Sequence, residues 1–446
     1  MSRILTVTEY QSIKRGQVFS AAERTVSAAQ FLQLEQFNER FEQKRKVKVF
    51  QHGPRNSLVA QNFVGVIHLG SFQVDVLPKV HDDVSLLRRN LVAMVAGTLK
   101  LKLHGGVAGQ IERSSHSVLD ALVRLYCESL WQALHKGMVK RYEARQDNLV
   151  VLRGRLNVAQ QLRHNLARPD RLHCSFDEFT PDNELNRALK LSLRILLKLV
   201  ASEQTTRNIA ELLMCFDEVG DVSASSLKWE RVVIDRLSES YAPLVCMARM
   251  FIEGYTPDLV SGKSDGFAVL FDMNELFEEF VGRQVQRVTS LTGVRTLLQS
   301  PVLPLARLAS GETCFQLRPD IVLMDGSAPK VVMDTKWKRL KAEATYDGLS
   351  TADIYQMHAY AQRYSVRNVV LLYPHYPELG RWRPLRKAYS FIPSDDAVGA
   401  KFMSVATVDL ENLKTVPSQL QVILERVNQL TKTSETELPL ISVMAA

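Results

Sequence analysis

Alternating hydrophobic and polar residues dominate the first hundred positions of the chain. The clearest stretch is NFVGVIHLGSFQVDVLPKV, in which the alternation runs on both sides of Gly70-Ser71. A period of two is typical of strands, and a Gly-Ser pair suits a two-residue turn. We therefore predict a β-hairpin here, within a β-rich region over residues 1–110.

From about Val118 the hydrophobic spacing becomes that of helices. Hydrophobic residues recur three or four positions apart in VLDALVRLYCESLWQALHKGMVKRYEARQ, NELNRALKLSLRILLKLVASEQ and TTRNIAELLMCF. This spacing predicts a mainly helical middle domain over residues 111–262. The stretch EGYTPDLVSGKSDG is rich in Gly, Pro, Ser and Asp, which is typical of a connection between domains.

The last third alternates between the two patterns. The pattern predicts a helix in FAVLFDMNELFEEFVGRQVQRV and two strands within LRPDIVLMDGSAPKVVMDTKWK. It then predicts a helix at STADIYQMHAYAQRY, a strand at NVVLLYP and a final helix near SQLQVILERVNQLTK. This order fits an α/β domain over residues 263–446, with a mixed central sheet flanked by helices. We expect a multidomain α/β protein.

Composition narrows the classes of partner. The chain has 446 residues, 46% of them hydrophobic, and a formal net charge of +8, which favours an anionic partner such as nucleic acid. Its five cysteines form no C-x-x-C pair, which argues against a disulfide framework and a cysteine zinc site. The polar amino terminus and the lack of a long apolar run predict a cytoplasmic protein with no membrane partner.

Among the charged residues of the two predicted strands in the last third, three are candidates for chemistry: Asp320, Asp334 and Lys336. Strand geometry places Asp334 and Lys336 on one face, where a carboxylate from the first strand can join them. Such an oxygen-rich site suits Mg²⁺, and a lysine beside the ion can orient water and neutralise a phosphate. The alternative is that these charges only end the strands and face solvent.

Glutamates on the preceding helix are further candidates. Asp272 and Glu275 have the spacing of a capping box, and a hydrophobic stripe follows them, so Glu278 and Glu279 are left without a structural role. On the later helix, Gln356 and Tyr360 are four apart and share a face that could present an amide and a phenol to the same site. Alternatively, Tyr360 packs in the core and Gln356 is solvated.

These residues resemble the P-D...(D/E)-x-K signature of a large nuclease superfamily, with a helical glutamate and a Q-x-x-x-Y helix as in its RecB-like members. The wider pattern is similar to the McrC family, the nuclease subunits of McrBC-type 5-methylcytosine restriction systems. Its segments here are LFDMNELFEEFV, LRPDIVL, VVMDTKWK, NLVVLRGRLN and FDEFTPDNELNRALK. The resemblance implies metal binding by Asp320, Asp334 and Glu278, with Glu279 as the fallback, and catalysis by these three residues and Lys336.

The resemblance also implies partners and a cofactor. It predicts a Mg²⁺-dependent, or Mn²⁺-dependent, endonuclease subunit for antiviral defence that cuts double-stranded DNA. The amino-terminal part would dock on a ring-forming AAA+ GTPase of the McrB type and stimulate it. Gly262-Lys263-Ser264 has Pro257 where a phosphate-binding loop needs glycine, so we expect no nucleotide on this chain.

A basic stretch over residues 335–390 predicts how DNA would be held. Lys and Arg outnumber Asp and Glu there and alternate with aromatic residues, so phosphates could bind at any sequence. Lys338, Arg339, Gln356 and Tyr360 are the candidate DNA contacts, against the alternative of a solvated basic face. Two other functions stay open: a RecB-like repair nuclease that needs no GTPase, and an assembly subunit that stimulates its partner without cutting.

Overall fold

The computed structural model describes residues 3–70, 72–101, 117–256, 266–392 and 400–436. Ser71 of the predicted turn, the Gly262-Lys263-Ser264 triplet and most of the predicted interdomain connection lie outside these ranges. Among the described residues, no helix is long and apolar enough to cross a membrane.

Helices and strands both occur throughout the described chain. The strands are β1 (Arg3–Thr8), β2 (Ser12–Arg15), β3 (Thr25–Val26), β4 (Phe50–Gly53), β5 (Ser57–Ala60), β6 (Phe63–Leu69), β7 (Phe72–Leu77), β8 (Arg141–Leu149), β9 (Arg155–Leu156), β10 (Leu172–Thr180), β11 (Tyr255–Thr256), β12 (Gly266–Asp272), β13 (Arg295–Leu298), β14 (Leu303–Arg307), β15 (Thr313–Leu317), β16 (Ile321–Asp325), β17 (Ala328–Thr335), β18 (Asn368–Pro374), β19 (Lys387–Phe391) and β20 (Lys401–Val408). The α-helices are α1 (Ala28–Arg45), α2 (Val84–Thr98), α3 (Val118–Leu134), α4 (Val158–His164), α5 (Glu184–Leu199), α6 (Glu203–Cys215), α7 (Ala242–Gly254), α8 (Met273–Ser290), α9 (Thr351–Arg363) and α10 (Val416–Thr436).

The chain divides into two compact units. The first comprises Met1–Ile4, Val66–Gln73 and Leu101–Val269, and the second comprises Leu5–Gly65, Val74–Lys100 and Leu270–Ala446. One sheet has five strands in the order β1-β7-β6-β12-β11. The strands of the predicted hairpin, β6 and β7, are neighbours in it. The three sequence-based domains, 1–110, 111–262 and 263–446, stay predictions.

The first unit contains helices α3 to α7 and the three-stranded sheet β8-β10-β9. The helical pattern that begins at Val118 predicts a helix through Gln146, but the helix ends at Leu134 and residues 141–149 form a strand. The reason is tertiary, because β8 pairs antiparallel with β10 along its full length, from Arg141 opposite Thr180 to Leu149 opposite Leu172. The middle of the chain is therefore helical with an inserted sheet.

The second unit is built on a six-stranded mixed sheet with the order β13-β16-β17-β18-β20-β19. β17, β18 and β20 run parallel, while β13, β16 and β19 join antiparallel. Helix α8 packs against β13 and β17, and also against α2 and α10. This sheet, flanked by helices, confirms the predicted fold class.

Helix α8 begins at Met273, directly after the residue that the capping-box spacing indicates as its cap, although the segment predicted to be helical started at Phe267. Residues 266–272 form strand β12, and Asp272 caps the helix by accepting a hydrogen bond from the Asn274 backbone N–H. The expected hydrophobic stripe is buried: Met273, Leu276, Phe277, Phe280 and Val281. Burial of this stripe fixes which face of α8 remains for polar side chains such as Glu278.

Candidate nuclease site

The β16–β17 hairpin brings the two aspartates together. In its antiparallel register Ile321 lies opposite Met333, so Asp320, just before β16, falls at the same end of the hairpin as Asp334 near the end of β17. The Asp320 Oδ2 atom accepts hydrogen bonds from the backbone N–H and the hydroxyl of Thr335, both at 2.7 Å. Both hydrogen bonds end on Oδ2, so the lone pairs of Asp320 Oδ1 could bind a further ligand.

Lys336 follows Asp334 by two positions, and the two side chains form an ion pair. The Lys336 Nζ atom lies 2.6 Å from Asp334 Oδ2, and both side chains are largely withdrawn from solvent. The ammonium is the one charged partner of this oxygen among the described residues. Asp334 Oδ2 could therefore serve as a ligand to a cation that replaces the ammonium.

Helix α9 closes the site with the two side chains predicted to share a face. The amide oxygen of Gln356 accepts from Lys336 Nζ at 3.1 Å, and its Nε2 donates to Asp334 Oδ1 at 3.4 Å and to the Tyr360 hydroxyl at 2.9 Å. The Tyr360 hydroxyl donates in turn to the Arg318 carbonyl at 3.0 Å. Tyr360 is buried, and Gln356 is not merely solvated, because it orients both the lysine and an aspartate.

Helix α8 contributes Glu278 from the other side. Gln299 donates from Nε2 to Glu278 Oε1 at 2.7 Å, and its backbone N–H donates to the Asp320 carbonyl at 2.8 Å, so it links the two acidic residues. The Arg318 guanidinium donates to the Gln299 amide oxygen. The neighbouring Glu279 instead pairs with Arg283 at 2.6 Å, one helical turn away. Of the two glutamates, Glu278 is the one joined to the aspartates.

The three carboxyl groups influence one another. Burial and the neighbouring Glu278 raise the pKa of Asp320 to about 6. Burial and Asp320 likewise raise the pKa of Asp334 to about 6, although Lys336 opposes this shift. Burial also raises the pKa of Glu278. Three carboxyl groups whose charged forms are disfavoured by burial and mutual repulsion make a site that a cation would stabilise.

Lys336 keeps its proton in this setting. Burial alone would lower the pKa of its ammonium, but Asp334 and then Asp320 outweigh burial, and the pKa is raised. A lysine that stays charged can orient water and neutralise a phosphate, but it is a poor proton acceptor near neutral pH. The chemistry available to Lys336 is therefore electrostatic.

The donor set has the chemistry for Mg²⁺, which prefers a few carboxylates and retains several waters. Within the described ranges, however, no three or more His, Cys, Asp and Glu side chains are arranged as a preformed metal site. Asp320, Asp334 and Glu278 thus fit a divalent ion by chemistry, while their closure around one stays a prediction.

The two basic candidates for DNA contact already have acidic partners. Lys338 Nζ lies 2.9 Å from Asp353 Oδ2, and the Arg339 guanidinium lies 3.2 Å from Glu378 and over the ring of Tyr376. Lys338 has about half of its side chain exposed. Phosphate binding by either residue would exchange one anionic partner for another.

Sequence reasoning missed several residues that shape the site: Thr335, Gln299, Arg318 and Asp353. Asp353 is buried, accepts from Lys338 and contributes to the raised pKa values of Asp334 and Lys336. It precedes Gln356 by three positions, so the helical spacing that paired Gln356 with Tyr360 could also have found it. Gln299 carried no such signal.

A known family and several solved structures are similar to this chain. The family described as McrBC 5-methylcytosine restriction system component matches residues 58–374. A comparison with curated proteins found no match.

Solved structures share the fold. One is a half-complex of Thermococcus gammatolerans McrB AAA+ hexamers with bound McrC, at a TM-score of 0.67 and 20% identity, covering 94% of this chain and 100% of that chain. Another is the cryo-EM structure of the T. gammatolerans McrBC complex, at a TM-score of 0.50 and 21% identity, covering 64% of this chain and 88% of that one. The family match spans well over half of the residues and confirms the resemblance predicted from the motifs, so the chain belongs to the McrBC restriction-system component family.

Proposed function

We propose that this protein is the McrC-type nuclease subunit of a restriction system and cleaves double-stranded DNA with the help of Mg²⁺ or Mn²⁺. The observation that carries the proposal is that Asp334 pairs with the charged Lys336 at 2.6 Å at the same end of the hairpin as Asp320, while Gln299 links Asp320 to Glu278. The family match supports the system, and the likeness of the fold to a chain from an assembly of McrB hexamers with bound McrC supports the subunit.

In the proposed mechanism, Asp320, Asp334 and Glu278 would hold the divalent ion, which supplies Lewis acidity at the scissile phosphate when bound. Gln356 fixes the Lys336 ammonium through its amide oxygen. That ammonium would orient the attacking water and stabilise negative charge as the new P–O bond forms and the old P–O bond breaks. Because Lys336 stays protonated, the proton of the water leaves to another acceptor.

The proposed partner is an AAA+ GTPase ring of the McrB type. The T. gammatolerans complex contains McrB AAA+ hexamers with bound McrC, and that structure covers 94% of this chain. We propose that recognition of DNA and hydrolysis of GTP belong to the ring, and that this subunit binds no nucleotide.

DNA cleavage tests the proposal with two neighbouring glutamates as a matched pair. Cutting of double-stranded DNA would be measured with Mg²⁺ for the wild type and for Asp334→Ala, Lys336→Ala, Glu278→Gln and Glu279→Gln, each alone and with the AAA+ partner plus GTP. We expect the first three variants to lose roughly a hundredfold or more in rate. Glu279→Gln should cut like the wild type, because its partner is Arg283.

Each other outcome points to a different function. Cutting by the isolated chain, with no gain from the partner, would favour a RecB-like nuclease that needs no GTPase. Undiminished cutting in Asp334→Ala and Lys336→Ala would show that the strand charges are structural. If the wild type stimulates GTP hydrolysis without cutting DNA, the chain is an assembly subunit.

A further inference from the structure

A buried carboxyl group far along the sequence reaches the residue next to Lys336. Glu9 directly follows β1 and is 1% exposed. Its two oxygens accept the indole N–H of Trp337 at 3.0 and 3.1 Å, and Oε2 also accepts the Lys79 backbone N–H at 3.1 Å. No ion pair to Glu9 occurs in the described chain. Its polar contacts are therefore hydrogen bonds that hold one ring and one backbone segment.

Trp337 lies between two segments of the proposed site. It follows Lys336 in the sequence, and its ring centroid is 5.3 Å from that of Phe277, which precedes Glu278 on α8. The indole is almost fully buried. A shift of this ring would therefore displace the backbone of Lys336 on one side and the α8 turn that carries Glu278 on the other.

The two N–H groups that Glu9 accepts from require a carboxyl group at this position. Burial raises the pKa of Glu9 to about 7, so the charged form is costly there. An apolar side chain would leave the indole N–H and the Lys79 N–H without acceptors, and an amide would offer one oxygen instead of two. The two oxygens fix the ring against the β1 end with a geometry that hydrophobic packing alone does not impose.

We propose that Glu9 is a positioning residue for the nuclease site, acting through the Trp337 indole on Lys336 and Glu278. The inference rests on the proposed function. It makes the segment that follows β1 part of the nuclease apparatus, in addition to any role of the amino-terminal region in partner docking.

The test uses the full chain in its complex with the AAA+ partner. Cleavage would be measured for Glu9→Gln, Glu9→Ala, Trp337→Phe and the double variant Glu9→Ala/Trp337→Phe, with the exposed Glu23→Ala as control. Trp337→Phe keeps an aromatic ring against Phe277 but removes the N–H. We expect the rate at saturating DNA to fall about tenfold or more in Glu9→Ala, with the half-saturating DNA concentration unchanged.

Two comparisons separate positioning from general stability. Glu9→Gln retains one acceptor and should recover part of the rate that Glu9→Ala loses. The double variant should lose no more than the worse single variant, because both changes break one interaction. A fall in melting temperature with an unchanged rate at saturating DNA would overturn the proposal, and so would additive losses.

Hydrogen exchange gives a readout that does not depend on cleavage. Amide exchange over residues 335–338 and 277–280 should speed up about tenfold in Glu9→Ala and stay unchanged in Glu23→Ala. If the wild type does not cut DNA, the proposed function fails, while exchange still shows whether Glu9 holds both segments. Unchanged exchange in either segment contradicts the positioning role.

Discussion

Single residues set the charge state of the site. Asp334 is buried and Asp320 is half-buried, and both have pKa values raised to about 6 from the ordinary 3.8, while Lys336 is the cation beside Asp334. A carboxyl group whose pKa is higher in the folded than in the unfolded protein binds more protons when folded. Its contribution to stability is complete below about pH 4 and is lost as the pH rises through about 6.

This linkage predicts how Mg²⁺ affects stability. Above about pH 6 the carboxylates are charged and repel each other, so a bound divalent ion relieves a cost that is absent when they are protonated. We expect Mg²⁺ to raise the melting temperature more at about pH 7.5 than at about pH 5. Asp334→Asn, measured alongside by thermal unfolding, should show a much smaller difference. Equal shifts at both pH values in the wild type would contradict the assignment of Asp320 and Asp334 as metal ligands.

Some residues of the site could be found from sequence and others could not. Asp320, Asp334 and Lys336 follow from strand periodicity, and Gln356 and Tyr360 from helical spacing, because these relations are local. Glu9 and Trp337 are 328 positions apart, and Gln299 meets Glu278 through a loop. Such contacts depend on tertiary packing, and no local pattern encodes them.

At the scale of elements, the start of α8 determines where Glu278 lies. Asp272 accepts from the Asn274 N–H, and the Asn62 amide donates to both Asp272 carboxylate oxygens at 3.0 and 3.1 Å. The Met273 N–H donates to the Asn62 carbonyl at 2.9 Å. The cap therefore ties the first turn of α8 to the segment before β6.

Removing this cap should weaken both the fold and the site. We expect Asp272→Ala to lower the free energy of unfolding by about 1 kcal/mol, the usual cost of losing an N-cap side chain. It should also reduce DNA cleavage, because α8 carries Glu278. Asp83→Ala removes a comparable cap from α2 and serves as the control, with a similar loss in denaturant unfolding and a smaller loss of cleavage. Equal losses of cleavage in the two variants would argue against a specific role of the α8 cap.

Elements whose neighbours in sequence are also neighbours in space follow from local periodicity. The β16–β17 hairpin, α9, β18 and α10 were all expected from local periodicity. The strand β8 was not, because its partner β10 begins more than twenty residues later and pairing overrides the helical pattern of its sequence. The strand β12 was hidden by the strongly helical residues that follow it.

At the scale of the whole molecule, the net charge of +8 favours polyanions. Two basic residues near the site already form ion pairs, Lys338 with Asp353 and Arg339 with Glu378. Phosphate binding would have to exchange these ion pairs. The Arg339–Glu378 pair is exposed and therefore weak, whereas Lys338 pairs with the buried Asp353. Any DNA affinity should therefore depend strongly on salt.

DNA binding should show a defined dependence on salt concentration. We expect the affinity for double-stranded DNA to fall linearly with salt on logarithmic axes, and Lys338→Ala and Arg339→Ala each to reduce the slope by about 1. Arg40→Ala, which changes an exposed basic residue of α1, is the matched control and should leave the slope unaltered. Fluorescence anisotropy over a salt series measures these slopes. Wild-type slopes in both site variants would remove Lys338 and Arg339 from the DNA contact.

The Lys336–Asp334 ion pair gives the proposed nuclease a resting state of its own. With the ammonium 2.6 Å from the carboxylate, the folded protein carries an internal counter-ion and does not rely on a metal to balance that aspartate. A divalent ion must compete with a tethered charge that never diffuses away. In the proposed mechanism, the site can thus be fully folded at low metal concentration and still be inactive. Activation requires the Lys336 ammonium to leave Asp334 and turn towards the phosphate.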